Sequence, residues 1–295
     1  MRARTGNLTR RDFLRGMTGA AVAAAFGLPL AGERRKGGKR ATVVLVRDEH
    51  AVDEQGRVSA PVVRRMLDDA VAALVGEKDM VGAWSRLVRR DDLVGIKTNV
   101  WANLHTPAEV ESALRGRVIG AGVPAERVLI DDSGAMRTLA HCTALINVRP
   151  VRTHHWAGIG GCIKNYATFV PDPSVYHPDS CADLAAIWSL PTVKRKTRLN
   201  VLVALTPQFW GRGPHYFDPR YVWPYKGIMV SFDPVAVDAV GAHLVRTKRV
   251  LYFGEDKPIT PTKHIAVAET KYGLGVADLS RIELIRLGWK KDALI

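Results

Sequence analysis

The chain reads as a three-layer α/β domain with a mostly parallel or mixed sheet. Short apolar runs rich in β-branched residues recur along it, and segments with apolar residues at helical spacing lie between them. Strands alternating with helices in this way predict a sheet covered on both faces. Setting aside the first 40 of the 295 residues leaves 255, enough for one large core.

The first strand is Ala41–Arg47 (ATVVLVR), a continuous apolar run suited to a buried position. Ala60–Val75 follows as a helix, with Val62, Val63, Met66, Ala70 and Leu74 at helical spacing. Leu93–Asn99 is the second strand. Thr106–Ile119 is a helix, with Thr106 as its cap and Pro107 at its first position. Arg127–Asp131, Ala144–Val148, Asn200–Leu205 and Gly227–Phe232 are further strands, and Asp233–Arg246 is a helix after the last of them. Arg281–Leu287 closes the sheet.

The residues before this domain read differently. Thr9–Arg15 is TRRDFLR, with paired Arg10 and Arg11, and an apolar stretch rich in Ala and Gly runs from Met17 to Leu30. A transmembrane helix needs about 20 apolar residues, and this stretch is shorter. A basic start, a short apolar middle and small residues at its end predict a twin-arginine signal over residues 1–31, and hence an exported, periplasmic or extracytoplasmic location. The partner it implies is the twin-arginine translocase. Pro29-Leu30-Ala31 is a poor cleavage site, so the alternative of a retained membrane tether stays open. Residues 32–40 form a basic linker, and 41–295 the single α/β domain.

The net charge of +14 suggests nucleic acid until it is divided along the chain. Residues 1–40 hold ten basic residues against Asp12 and Glu33, so the domain keeps only +6. Its densest run, Lys194-Arg195-Lys196 with Arg198, follows a proline turn and reads as a solvated loop. No recognition-helix, zinc-finger or aromatic-basic pattern is present, so nucleic acid is not an expected partner. Cys142, Cys162 and Cys181 are too few for a disulfide scaffold and match no compact zinc or iron–sulfur spacing.

Polar residues gather where strands end. Lys97 and Asn99 are two apart at the end of the second strand and share a face. Asp131 and Asp132 end the third, Thr153-His154-His155 follows the fourth, and Asp233 follows Gly227–Phe232. Ligands of open α/β sheets bind beyond the carboxyl ends of the strands, so these residues predict a site there.

The same segments carry a resemblance. IKTNVW (Ile96–Trp101), INVRPVRTHHWAGIGGCIKNY (Ile146–Tyr166) and SFDPVAVDAVGA (Ser231–Ala242) resemble the family called domain of unknown function 362. Its members have a strand ending in Lys-Pro-Asn, a block like Lys-Thr-His before a Gly-rich turn and Lys-Asn, and a late Asp-Pro-Val-Ala-Val-Asp helix. Thr98 replaces the usual proline, Arg152 the usual lysine, and Cys162 a small or apolar residue. The resemblance covers most of residues 41–288. It implies an α/β domain of a kind often tied to redox or iron–sulfur chemistry, and supplies no reaction. This chain has no C-x₂-C-x₂-C run and so no ferredoxin-type module.

Lys164, His154 and Asp238 are the candidate catalytic residues. Lys97, Asn99, Gly160, Gly161 and Asn165 are candidate ligand-binding residues, and His154, Asp132 and Asp233 a candidate divalent-metal set. Asp233 equally suits a helix cap. Asp238, inside an apolar helix, needs a cation or metal partner if buried. AGIGGCIKN fits neither a Walker nor a Rossmann loop, but its backbone beside Lys164 can form an anion nest, or Lys164 can neutralise Asp238 or Asp132. His177, Asp179 and Cys181 read as a capped turn entering a helix over Ala182–Ser189, and Ser133 lacks the nucleophile-elbow pattern. Two functions follow. One is an enzyme transferring protons beside a carbonyl of a small anionic substrate. The other is a non-catalytic accessory or ligand-binding protein serving an exported redox system.

Overall fold

Strand β1 (Ala41–Arg47) shows why the sheet is covered on both sides. Its alternation sends Val43 and Leu45 into one core and Val44 and Val46 into the other. The remaining strands are β2 (Val94–Lys97), β3 (Val128–Asp131), β4 (Ala144–His154), β5 (Gly158–Gly160), β6 (Thr197–Gln208), β7 (Gly227–Ser231) and β8 (Ile282–Gly288). The computed structural model describes residues 38–213 and 217–295, and the segment expected to be a twin-arginine signal, with most of the basic linker, lies outside them. Lys39–Ile295 make one compact unit.

The strand order is β3-β2-β4-β6-β7-β1-β8, with β5 added to the end of β4. β3, β2, β4 and β6 run parallel, as do β1 and β8. β7 is antiparallel to both β6 and β1. The fold is therefore α/β with a mixed, mostly parallel sheet.

Helices α1 (Ala60–Val75), α2 (Met80–Ser85) and α3 (Ala108–Gly120) cover one face; α4 (Cys162–Asn165), α5 (Pro234–Phe253) and α6 (Lys263–Thr270) cover the other. On the first, Val63, Met66, Leu67, Ala70 and Val71 of α1 meet Val110, Leu114 and Val118 of α3 over Val94, Ile96 and Val201. On the second, Val237, Val240 and Leu244 of α5 join Ile163 and Ile265 over Leu202 and Met229. α1 ends where Gly76, at φ 72°, donates its N–H to Ala72 O in a left-handed cap that a side chain would strain. No helix among the described residues is long and apolar enough to cross a membrane.

Several elements depart from the sequence reading. β4 runs six residues past Val148 to His154, so Arg149, Arg152 and His154 are strand residues. The glycine-rich segment, open to reading as an anion nest or a tight turn, forms β5 instead, pairing Arg152 with Gly160 and His154 with Gly158. α5 extends to Phe253, and α2 and α6 had no strong periodicity. Ala182–Ser189 is a 3₁₀ segment. Thr106 caps nothing: Pro107 is the cap residue of α3, and Thr106 pairs with Asn99 through both backbone and hydroxyl.

Candidate functional site

β2 stops at Lys97 while its neighbour β4 continues to His154, which leaves a gap at the sheet edge. A cavity of about 180 Å³ occupies it, lined among others by Asn99, Asp132, Arg149, Arg152, His154 and Lys164. Its wall reaches solvent at Trp101 and Trp156, which are 40% and 44% exposed. Strict alternation would send Arg149 and Arg152 to opposite faces. The pairing of β4 with β6 slips between Pro150 and Arg152, and both side chains reach the same cavity.

A buried amide row holds the floor. Asn165 Nδ2 donates to Asn147 Oδ1 at 2.8 Å and to the carbonyls of Lys97 and Val148. Asn147 Nδ2 in turn donates to Asn200 Oδ1 and to Cys162 O, both at 3.0 Å. This network crosses β4 and β6 and pins α4 to the sheet, which fixes Lys164 at the cavity.

Asp238 secures the other side of α4. Fully buried on α5, its carboxylate accepts the backbone N–H groups of Cys162 (2.6 Å) and Ile163 (2.8 Å). Burial raises its pKa to about 7, against the lowering by those N–H bonds and by Arg149. A Cβ on Gly161 would overlap the Asp238 carboxylate, and one on Gly160 would stand 3.1 Å from an Arg149 amino nitrogen. The two glycines thus let charged groups pack against the backbone, and neither they nor Asp238 line the cavity.

Two lysines are buried here, in contrasting states. Lys97 Nζ donates to Asp132 Oδ1, to Thr98 O at 2.7 Å and to Asn165 Oδ1 at 3.4 Å. Lys164 Nζ has no hydrogen bond or ion pair among the described residues, so it neutralises neither Asp132 nor Asp238. Burial brings both ammonium groups down to about 8.

The arginines differ in the same way. Arg152 donates to Leu104 O (2.5 Å) and Asn99 Oδ1 (2.8 Å). Arg149 is 4% exposed, makes no hydrogen bond among the described residues, and leaves even its Nε without an acceptor. A guanidinium stays charged in proteins, so Arg149 is a buried cation without a hydrogen-bonded partner among the described residues; Asp132 and Asp238 favour its charge only through space, against the larger cost of burial. The one carboxylate on the wall, Asp132, is already held by Lys97 and the Val100 N–H.

His154 Nδ1 accepts from the backbone N–H of Trp156 (3.2 Å) and of Ala157 (3.4 Å). Burial, followed by Lys164 and Arg149, holds its pKa far below the usual histidine range. The ring is therefore neutral, with its one proton on Nε2, available as a donor. His177 also lines the cavity and packs on Trp156 with ring centroids 3.9 Å apart. Its expected companions leave it: Asp179 pairs with Lys263 at the surface, and Cys181 is a buried thiol.

The structure thus brings together Asn99, Asp132, His154, Lys164 and Asn165, with Lys97 and Asp238 directly behind them. It does not bring Asp233. β7 runs against its neighbours, so its carboxyl end points toward the start of β6, away from the end of β4. There Asp233 caps α5, accepting from Val235, Ala236 and Val276 N–H. The expected set of His154, Asp132 and Asp233 is not gathered, and no group of three His, Cys, Asp or Glu among the described residues is placed to hold a metal. Sequence reading passed over Arg149. Its signal was there, since INVRPVR sets two arginines inside an apolar strand, where charge is costly.

A larger cavity of about 430 Å³ lies between α5 and α6. Arg246 and Arg249 on its wall both pair with Asp256, so its charges are compensated and it makes the weaker site.

Fold and cavity define a three-layer α/β domain with a small cationic site at the carboxyl end of a parallel strand. The chain belongs to the family described as Domain of unknown function (DUF362), whose model matches residues 94–243. That span holds every residue lining the cationic cavity. No curated protein and no solved structure matches the chain.

Proposed function

We propose that the domain binds a small carboxylate-bearing anion in this cavity and transfers protons at the carbon beside its carbonyl. Arg149 carries the reading. A buried guanidinium that lines a cavity and makes no hydrogen bond among the described residues suits a planar carboxylate, which accepts two parallel N–H bonds. Arg152 and Lys164 add positive charge, and the volume is well below the roughly 300–1,000 Å³ of sites for drug-sized ligands. His154 supplies an Nε2–H donor and Lys164 an amine that titrates near neutrality, the pair that acid–base chemistry at a carbonyl needs.

Calorimetric titration of the purified chain with pyruvate, malonate and inorganic phosphate tests the binding step. One carboxylate-selective site per chain is expected. Absence of heat and of competition with all three would remove the reading.

Export belongs to the same proposal, supported by the Arg10-Arg11 pair and the short apolar stretch behind it. Replacing both arginines with lysine keeps the charge but removes the guanidinium pair, and the protein should then stay in the cytoplasm. Normal amounts outside the cytoplasm would contradict export by this route.

A further inference from the structure

We propose that Lys164 is a covalent nucleophile that forms an imine with a 2-oxo acid held in the cavity; this rests on the anion-site reading above. Four features on the cavity wall support it. Lys164 is the one of the two buried lysines here with no acceptor, whereas Lys97 is committed to three. Arg149, with its Nε buried without an acceptor and no hydrogen bond among the described residues, lines the same cavity and can take the carboxylate of the same small molecule. His154 presents an Nε2–H, a donor for the carbonyl oxygen. The cavity, at about 180 Å³, accommodates a small acid whose carboxylate and ketone are adjacent, so that clamping one end delivers the other to the amine.

A lysine becomes nucleophilic when it is desolvated or set beside other cations, and Lys164 has both conditions. Burial, with Arg149 and Arg152 in the same direction and Cys181 against them, brings its pKa to about 8. Roughly a tenth of the amine is then neutral at pH 7. The step balances without an oxidant or reductant. The amine lone pair forms the C–N bond, the carbonyl oxygen collects both amine protons through the carbinolamine, and the C–O bond breaks to release water. A further proton on nitrogen gives the iminium, whose electron demand acidifies the neighbouring carbon and makes proton transfer there easier.

The test is reductive trapping of the full chain with pyruvate and sodium borohydride, read by intact mass and peptide mapping. One reduced adduct per chain on the peptide holding Lys164 is expected. It should be blocked by malonate, which has the carboxylates and no ketone, and be missing in Lys164→Arg. Trapping on wild type decides the matter even if that variant folds poorly. Pyruvate that binds by calorimetry but leaves no adduct, or adducts spread over surface lysines and insensitive to malonate, would overturn the imine and leave the anion site standing. No binding of pyruvate or malonate would overturn both.

Discussion

Arg149 and Lys97 are both buried cations, and their partners give them opposite roles. Lys97 satisfies Asp132 and ties β2 to β3, so it is part of the frame. Arg149 hydrogen-bonds nothing among the described residues and feels Asp132 and Asp238 only through space, which is what the proposed anion site rests on. Lys164 stands with Arg149, and its titration makes the site pH-dependent. The charged groups facing it are Arg149 and Arg152 from β4, with Lys97 and Asp132 behind; His154 is held neutral, and His177 and Cys181 are pushed toward their neutral forms. With malonate, which has no ketone and so forms no imine, the protonated lysine only adds positive charge to the site, and its pKa is about 8. Affinity should therefore be level below about pH 7 and fall as pH rises through 8. Loss of a charge-assisted bond is worth roughly 1.5–3 kcal/mol, or about 10- to 100-fold in affinity. Calorimetry with malonate at pH 6.5 and 9 measures this in wild type and Lys164→Met, and the variant should lose the dependence. An equal pH response in both would place the titrating group elsewhere.

At the scale of elements, much was legible and the failures have causes. β1, α1, β2, β3 and β7 follow from apolar pattern within a residue or two, because both faces of the sheet are buried and the runs are unbroken. The end of β4 was not legible. Arg149, Arg152 and His154 break the apolar run, and only the fold shows that a strand continues through them at the gap beyond β2. Strand direction was not legible either, because hydrophobic pattern is the same read up or down. That is why Asp233 was grouped with His154 when β7 in fact carries it the other way. The glycines beside Lys164 suit a ligand nest or a tight turn in sequence, yet their small size serves Arg149 and Asp238, contacts between distant segments that no local pattern encodes. His154, Lys164, Asn99, Asn165 and Asp132 were reachable from sequence since each closes or follows a strand or turn.

For the molecule as a whole, the domain keeps a buried positive charge that Asp132 and Asp238 offset only in part and that none of its described carboxylates hydrogen-bonds. Such an arrangement lowers the stability of the empty protein and is expected where binding is the purpose. Anion binding should recover that loss, since a ligand that binds only the native state stabilises it by mass action. The melting temperatures of wild type and Arg149→Met, each with and without pyruvate, test this most directly. Removing the unpaired charge should leave the empty variant as stable as wild type or more so, at about 2–4 °C per kcal/mol gained in a domain of this size. Pyruvate should raise the melting temperature of wild type and leave the variant unmoved. A variant that melts well below wild type, together with a wild type indifferent to pyruvate, would make Arg149 a structural residue and contradict the anion site.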